Sequence, residues 1–193
     1  MKIGMVGKGN VGTALAAGLR RAGHEVKFGH RDLREPVIEA VNWGEVIILA
    51  VPHGAAKDVT KTIGSAADGK TVIDVSNAVT GNMELAIGFN TSAAEEIQKM
   101  LPKARVVKAF NTVFAQNQST GEIGNEQLTL FIAGDDADAK QTVMQLGADI
   151  GFEPVDAGPL KAARYLEPMG MFMINLGYGL GLGTKIGFKL VKG

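Results

Sequence analysis

The stretch Gly7-Lys8-Gly9-Asn10-Val11-Gly12 decides the fold of this 193-residue chain. It follows a short apolar run, residues 1–6, which predicts a strand, and it opens a helical pattern of apolar residues that ends near Ala22. A second predicted strand, residues 26–28, completes a strand–helix–strand unit of about 30 residues. This order predicts a Rossmann-type α/β fold whose first turn binds a dinucleotide.

Each glycine of the turn has its own physical reason. Gly7 allows the tight turn, Gly9 lets the backbone approach a pyrophosphate without a Cβ, and Gly12 lets the helix pack closely on the strand. The helix N-terminus offers unpaired N–H groups and a partial positive charge to the diphosphate. The predicted pyrophosphate-binding residues are Gly7, Lys8, Gly9, Asn10, Val11 and Gly12. The alternative is a tight turn with a structural role alone.

The end of the second strand distinguishes the two nicotinamide cofactors. An NAD site places a carboxylate there for the ribose hydroxyls, whereas an NADP site needs a cation for the 2′-phosphate. Here Arg31 precedes Asp32, and His30 and Arg34 are close enough in sequence to assist. These residues predict NADP(H). In the alternative, Arg31 is a solvated residue that pairs with Asp32 or Glu35.

Three more apolar runs, residues 45–51, 71–75 and 104–110, predict strands that are covered on both faces of a mostly parallel, doubly wound sheet. Ligands of such sheets bind beyond the carboxyl ends of the strands, so His53, Asn77 and Asn111 are expected to line the nicotinamide side. Two alternatives stay open. His53 could cap the next helix, and the asparagines could tie loops through side-chain to backbone hydrogen bonds.

The second half of the chain continues the alternation. Residues 127–134 and 152–155 predict strands, with a helix at about 137–146 between them. From Leu160 the chain becomes helical and increasingly apolar as far as Leu182, with Pro168 expected to kink or start the main helix. We therefore expect a Rossmann domain over residues 1–156 and a small helical part over residues 157–193.

The apolar C-terminal part has three interpretations. Its uncharged stretch between Glu167 and Lys185 is about 17 residues long, at the lower limit for a membrane span, and its glycines reduce its hydropathy. Small residues such as Gly177 and Gly181 allow helices to pack closely, and a methionine-rich surface adapts to its partner. Both features are better explained by a homodimer interface or a wall of the substrate pocket. We expect no membrane insertion.

Composition excludes several classes of function. Twenty basic residues balance twenty acidic residues, so no long-range field draws in nucleic acid or an anionic membrane. The absence of cysteine excludes disulfides, thiolate catalysis and thiolate metal sites, and three scattered histidines predict no metal site. The cytoplasm is the expected location. No set of acid, base and nucleophile is recognisable, and no catalytic residue is predicted.

Five segments carry a family resemblance. They are the glycine turn, Gly29-His30-Arg31, Phe131-Ile132-Ala133-Gly134-Asp135-Asp136, Asp156-Ala157-Gly158-Pro159-Leu160 and Ala163-Arg164-Tyr165-Leu166-Glu167. On these the chain resembles, over nearly its whole length, the NADPH-dependent coenzyme F420 reductases, or F420:NADP oxidoreductases. The reductase domain of the STEAP metalloreductases is a more distant relative.

The resemblance implies a dimeric oxidoreductase that passes a hydride between NADPH and a deazaflavin. It implies that His30 and Arg31 bind the 2′-phosphate and that Val51-Pro52-His53 lies beside the nicotinamide. The chain departs from the family at His53, where members have a bulky aromatic residue, and in a short connection from Arg34 to Trp43. Two alternatives therefore stay open: a reductase of flavin, quinone or ferric chelates, and a non-catalytic NADP-binding regulatory module.

Overall fold

Strands and helices alternate along the chain in the computed structural model, which describes residues 1–32, 34–82 and 84–193. The strands are β1 (Lys2–Val6), β2 (Glu25–Gly29), β3 (Val46–Leu49), β4 (Thr71–Asp74), β5 (Arg105–Lys108), β6 (Glu122–Ile123), β7 (Glu126–Gln127), β8 (Thr129–Gly134) and β9 (Glu153–Asp156). The helices are α1 (Asn10–Arg21), α2 (Val37–Trp43), α3 (Ala56–Ile63), α4 (Ala93–Met100), α5 (Ala137–Ile150) and α6 (Ala163–Ile174).

Seven of the strands form one sheet in the order β2-β1-β3-β4-β5-β8-β9, and β6 pairs with β7 as a separate hairpin. Every neighbouring pair in the large sheet is parallel except β5 and β8. The chain leaves β1 for β2 and returns to β3 on the other side of β1. This reversal places a crevice beyond the carboxyl ends of β1 and β3. The Rossmann-type fold predicted from the sequence is confirmed.

The sheet is covered on both faces because its central strands are apolar at every position. In β3, Val46 and Ile48 pack into one cluster with residues of α1 and α5, such as Leu19. Ile47 and Leu49 pack into a second cluster with residues of α2, α3 and α4. All four side chains of β3 are buried. Continuous apolar runs, instead of alternating ones, are what a two-sided sheet requires.

The C-terminal segment differs from its prediction. Helix α6 begins five residues before Pro168, so the proline lies inside the helix and does not start it. A π-helical turn, Asn175–Gly179, follows, and the chain beyond Leu180 has no regular structure. Gly181 and Gly183 adopt positive φ angles of 72° and 76°, which end the helical path that was expected to reach Leu182.

The last residues instead run back along the sheet. The N–H of Thr129 donates to the carbonyl of Phe188 at 3.0 Å, and the N–H of Leu190 donates to the Thr129 hydroxyl oxygen at 2.8 Å. A second difference concerns α2, which occupies the short connection expected between Arg34 and Trp43. No described helix reaches the length and apolar character that crossing a membrane requires.

Helices α4 and α6 are joined by an ion pair. A capping box begins α4, since the Ser92 hydroxyl accepts from the N–H of Glu95 at 3.2 Å. The carboxylate of Glu95 then pairs with the guanidinium of Arg164, 2.7 Å away, in a forked arrangement with both groups mostly buried. The hydrogen bond from Arg164 is the main reason why the pKa of Glu95 lies below its ordinary value.

We expect this pair to make stability depend on pH in acid. Because the pKa of Glu95 is lowered in the folded chain, its contribution is present above the unfolded value of about 4.5 and is lost as pH falls through the folded value. Urea unfolding of the wild type and of Arg164→Gln should differ by about 1 kcal/mol at pH 6. The difference should shrink as pH falls below about 4.5 and through the lowered folded-state pKa of Glu95. A difference that is constant over this range would contradict the assignment.

Candidate functional site

The first cavity lies beside the glycine turn, at the crevice that the strand order creates. Its volume is about 870 Å³, which is large enough for a dinucleotide. Of the residues predicted to bind a cofactor, those that line it are Gly7, Lys8, Gly9, His30, Arg31, Val51 and Pro52. The structure thus brings the ends of β1, β2 and β3 together around one space.

The turn is built by close backbone contacts. Gly7 adopts a φ of 109°, and its N–H donates to the carbonyl of Gly29 at 2.9 Å. A Cβ on Gly12 would lie 2.3 Å from the carbonyl oxygen of Gly7, so no other residue fits there without displacing the turn. A Cβ on Gly9 would meet no atom of residues 1–32, 34–82 and 84–193 within 4 Å. Packing of the protein therefore explains Gly7 and Gly12 but does not explain Gly9.

The N-terminus of α1 suits an anion. Gly9 is the N-cap residue and supplies no capping side chain, and the first turn contains no acidic residue. Each of the helices α2, α3, α4 and α5 has an acidic residue in its first turn. The first N–H groups of α1 lack intrahelical acceptors and concentrate positive potential next to the open space at Gly9. These residues fit the diphosphate of a dinucleotide.

The charges around the end of β2 favour a phosphate over ribose hydroxyls. Arg31 lines the cavity and has no ion-pair partner among the described residues. Both carboxylate oxygens of Asp32 accept hydrogen bonds from Arg34, at distances of 2.6 to 3.1 Å, and these bonds keep the pKa of Asp32 below its ordinary value. Asp32 is therefore engaged by Arg34, which lies outside the cavity lining with an exposed side chain.

A second, smaller cavity of about 260 Å³ lies on the other side of the α1 N-terminus. Its polar wall contains Asn10, Asn77 and Asn111, and its apolar wall contains residues of α6 and of the turn that follows it. The complete lining is Asn10, Val11, Asn77, Asn111, Thr112, Val113, Phe114, Ala115, Gln116, Gly170, Met173, Ile174 and Tyr178.

The two predicted asparagines form a reciprocal pair in the second cavity. Asn77 Nδ2 donates to the Asn111 carbonyl at 2.8 Å, and Asn111 Nδ2 donates to Asn77 Oδ1 at 2.9 Å and to the Leu166 carbonyl at 2.7 Å. The Oδ1 atom of Asn111 is buried without a partner among the described residues. The expected loop-tying bonds are thus present, and one acceptor remains unused. Phe110, which precedes Asn111, is held at a φ of 66°, an unusual conformation for this residue type.

His53 is placed differently from the other predicted residues. It begins a short 3₁₀ segment, His53–Ala55, and it lines neither cavity. Its Nδ1 atom is buried without a hydrogen-bond partner in the described part of the chain. The N-cap residue of α3 is Ala55, whose backbone N–H donates to the carbonyl of Pro52. No side chain caps α3, so the His53 imidazole is not the expected helix cap.

Three buried charged residues, which were not identified from the sequence, lie next to the asparagine pair. Lys108 Nζ lies 2.7 Å from Asp74 Oδ2 and 3.0 Å from Glu167 Oε1, and all three side chains are buried. Burial alone lowers the pKa of Lys108, but attraction to the two carboxylates and the hydrogen bonds to them outweigh burial, so the pKa is raised. The available signal was a charged residue, Asp74 or Lys108, at the end of each of two strands whose central residues are apolar.

Comparison with known families identifies similar proteins. Residues 2–78 match the family model described as NADP oxidoreductase coenzyme F420-dependent. The whole chain aligns with a crystal structure of a proposed F420-dependent NADP reductase from Arthrobacter sp. FB24, with a TM-score of 0.91, 26% identity and complete coverage of both chains.

Two curated relatives are metalloreductases. Rat STEAP3 is 32% identical over 189 residues, and human STEAP2 is 26% identical over 188 residues. These alignments cover 90% and 92% of this chain but only 37% of each relative, so the chain spans little more than a third of their length. The comparisons confirm the predicted resemblance to the F420-dependent NADP oxidoreductases and to the STEAP metalloreductases.

Gly9→Ala and Gly12→Ala should separate cofactor binding from folding. The Cβ of Gly9→Ala enters open space, so the free energy of unfolding should stay within about 0.5 kcal/mol of the wild type. The same methyl group blocks close approach of a pyrophosphate, and we expect NADPH affinity to fall at least about tenfold. Gly12→Ala should instead lower stability by about 1 to 3 kcal/mol through its clash with Gly7.

Urea unfolding and NADPH titration by fluorescence give both quantities for each variant. Gly9→Ala that binds NADPH like the wild type would contradict a diphosphate site at this turn.

Arg31→Ala should weaken NADPH binding by about 1.5 to 3 kcal/mol, because hydrogen bonds to a charged phosphate are lost. NADH lacks that phosphate and is the matched control, since its affinity for Arg31→Ala and wild type should be equal. Isothermal titration of both nucleotides provides the comparison. Equal losses for NADH and NADPH would show that Arg31 does not recognise the 2′-phosphate.

Proposed function

From its similarity to the coenzyme F420-dependent NADP oxidoreductases, we propose that the chain transfers a hydride between NADP(H) and a planar redox acceptor, and that the acceptor is coenzyme F420. The observation that carries the proposal is the first cavity, where open space over Gly9 lies in the same lining as the cation Arg31, with Asp32 already engaged by Arg34. A diphosphate nucleotide with an additional phosphate fits that arrangement.

The residues of the first cavity would bind and orient the nucleotide. The N–H groups at the start of α1 would donate to the diphosphate, and Arg31 would donate to the 2′-phosphate, with His30 beside it. Lys8 already pairs with Glu35, 2.8 Å away, and both side chains are partly exposed. With zero formal net charge on the chain, these local groups supply the attraction for a polyanion.

The second cavity would hold the reacting rings. NADPH, when bound, supplies two electrons as a hydride from C4 of its nicotinamide, and a deazaflavin takes that hydride at C5 together with one solvent proton on its ring nitrogen. Asn111 would use its unpartnered Oδ1 to accept a hydrogen bond from a carboxamide N–H. Met173 and Tyr178 would cover the acceptor with apolar surface and exclude water.

No acid or base is needed in contact with the transferred hydride. Holding two rings in a reactive arrangement can lower a barrier by about 7 to 11 kcal/mol. The protein's part is then to bind, orient and desolvate, in agreement with a lining composed of amides and apolar groups. This agrees with the absence of a predicted catalytic residue.

Isotope transfer distinguishes the acceptors sharply. The protein is mixed with NADPH carrying deuterium on either face of C4 and with F420, FMN, FAD, a quinone or a ferric chelate. We expect the highest kcat/KM with F420 and retention of deuterium from one face only, because C5 of a deazaflavin forms a stable C–H bond. Reduced flavin would lose the label to water from N5. Mass spectrometry of the reduced acceptor measures the transfer, and Gly9→Ala is the folded control with weakened cofactor binding.

Two results would contradict the proposal. Faster reduction of flavin, quinone or ferric chelate would reassign the acceptor. Stoichiometric binding of NADPH without oxidation by any of the five acceptors would favour the regulatory module.

The predicted homodimer and domain division belong to the same proposal. The exposed apolar side chains of the C-terminal part include Tyr165, Phe172, Tyr178, Leu180 and Leu182. A second copy packed on this surface would cover the outer wall of the second cavity, to which Tyr178 contributes. The boundary near Asp156 and the cytoplasmic location remain predictions. Light scattering of the purified chain measures the oligomeric state, with a twofold mass as the expected result.

A further inference from the structure

The buried charges Asp74, Lys108 and Glu167, here called the charge triad, have no role in the reaction proposed above. Asp74 and Lys108 end the adjacent strands β4 and β5 and face each other in register. Glu167 comes from α6 and also accepts hydrogen bonds from the first N–H groups of α4, those of Ala93 at 2.9 Å and Ala94 at 3.2 Å. The triad thus joins two strands and two helices at one buried point.

Stability alone does not explain the triad. Two carboxylates and one ammonium leave one net negative charge in the interior, and the helix N-terminus of α4 offsets part of its cost. Removing ions from water costs several kcal/mol each, and well-packed apolar residues often replace a buried ion pair without loss of stability. Apolar side chains do not fix the relative orientation of the elements they join, whereas hydrogen bonds to charged groups fix distances and angles.

The triad is connected to both members of the asparagine pair. Lys108 Nζ also donates to the carbonyl of Ser76, the residue before Asn77. Asn111 follows Lys108 by three residues, and its side chain donates to the carbonyl of Leu166, the residue before Glu167. Asn77 and Asn111 each follow a triad member, Asp74 or Lys108, by three residues, and the Leu166 carbonyl that binds Asn111 directly precedes Glu167.

Helix α6 approaches the asparagine pair closely at a glycine. A Cβ on Gly170 would lie 2.4 Å from Asn77 Oδ1 and 2.9 Å from Asn111 Nδ2. Contact at Gly170 thus prevents α6 from moving closer to the asparagine pair, and the bonds of Glu167 prevent it from moving away. Small displacements of α6 would alter the direction of the unpartnered Asn111 Oδ1.

We propose that Glu167 and Lys108 are positioning residues, which hold α6 and the ends of β4 and β5 so that the asparagine pair presents Asn111 Oδ1 to the ring bound in the second cavity. This rests on the proposed function. The pair binds the ring and the triad acts through the pair. Because the triad does not touch the first cavity, it should affect hydride transfer far more than nucleotide affinity.

The main test is Glu167→Gln, which keeps the shape of the side chain and removes its charge. We expect NADPH affinity within about threefold of the wild type and a fall of about 10- to 100-fold in the single-turnover rate of hydride transfer. The side-chain amide NMR signals of Asn77 and Asn111 in the free protein should shift. Arg164→Gln is the matched control, because it removes another ion pair between α4 and α6 that does not contact the asparagines.

Gly170→Ala tests the same device without touching the charges. Its methyl group pushes directly on the asparagine pair, so it should reproduce the slow hydride transfer and the shifted amide signals. This variant keeps the inference testable if Glu167→Gln fails to fold. Normal transfer rates and unmoved amide signals in folded Gly170→Ala would overturn the inference, whatever the fate of Glu167→Gln.

The two proposals fail separately. If the wild type binds NADPH and reduces no acceptor, the proposed function fails, while the amide signals of the free variants still test whether the triad positions the pair. If the wild type is active and Glu167→Gln matches Arg164→Gln in rate and in amide signals, only the positioning inference fails.

Discussion

The contact between Gly12 and the carbonyl of Gly7 is the constraint on which the candidate site depends. A Cβ on Gly12 would lie 2.3 Å from the Gly7 oxygen, so helix α1 can start this close to β1 only without a side chain there. The close start directs the first N–H groups of α1 into the crevice at the strand reversal. Next to this start, no atom of the described residues lies within 4 Å of a Cβ built on Gly9, so the space over Gly9 is open.

This turn also separates the two cavities. Gly7, Lys8 and Gly9 line the larger one, and Asn10 and Val11, which follow directly, line the smaller one. The larger cavity has the charges suited to phosphates, and the smaller one has amides and apolar residues suited to a planar ring. An extended dinucleotide across the turn would place its two ends in surroundings of different chemistry, which is the usual division in Rossmann proteins.

Electrostatics in this protein act over short distances. The formal net charge is zero, and Arg31, one of the cations that line the first cavity, lies next to Asp32, which is ion-paired with Arg34. In the interior the opposite arrangement occurs, because Lys108 neutralises one of two buried carboxylates and the N–H groups of α4 stabilise the other. Local pairing therefore sets the charge around the first cavity and links the elements next to the second cavity.

Much of the fold follows from the sequence. Apolar runs without alternation specify a two-sided sheet, and glycines at fixed spacing specify the turn, so the strands and the first cavity could be predicted from local patterns. Helix α2 is not predicted because its segment is short. The C-terminal helical path ends at Gly179, short of the predicted Leu182, and the positive φ angles of Gly181 and Gly183 keep it from continuing. Local sequence patterns also could not predict that His53 lies outside the linings of both cavities.

The Rossmann fold, the glycine turn and the cation after β2 follow from the sequence alone, because each depends on residues that are neighbours along the chain. Only the tertiary structure decided that Asp32 is engaged by Arg34, that Asn77 and Asn111 bond to each other, and that Glu167 reaches Lys108. Asn77 and Asn111 lie 34 positions apart and meet because the strands before them, β4 and β5, pair in register. Lys108 and Glu167 lie 59 positions apart and meet because α6 packs on the sheet.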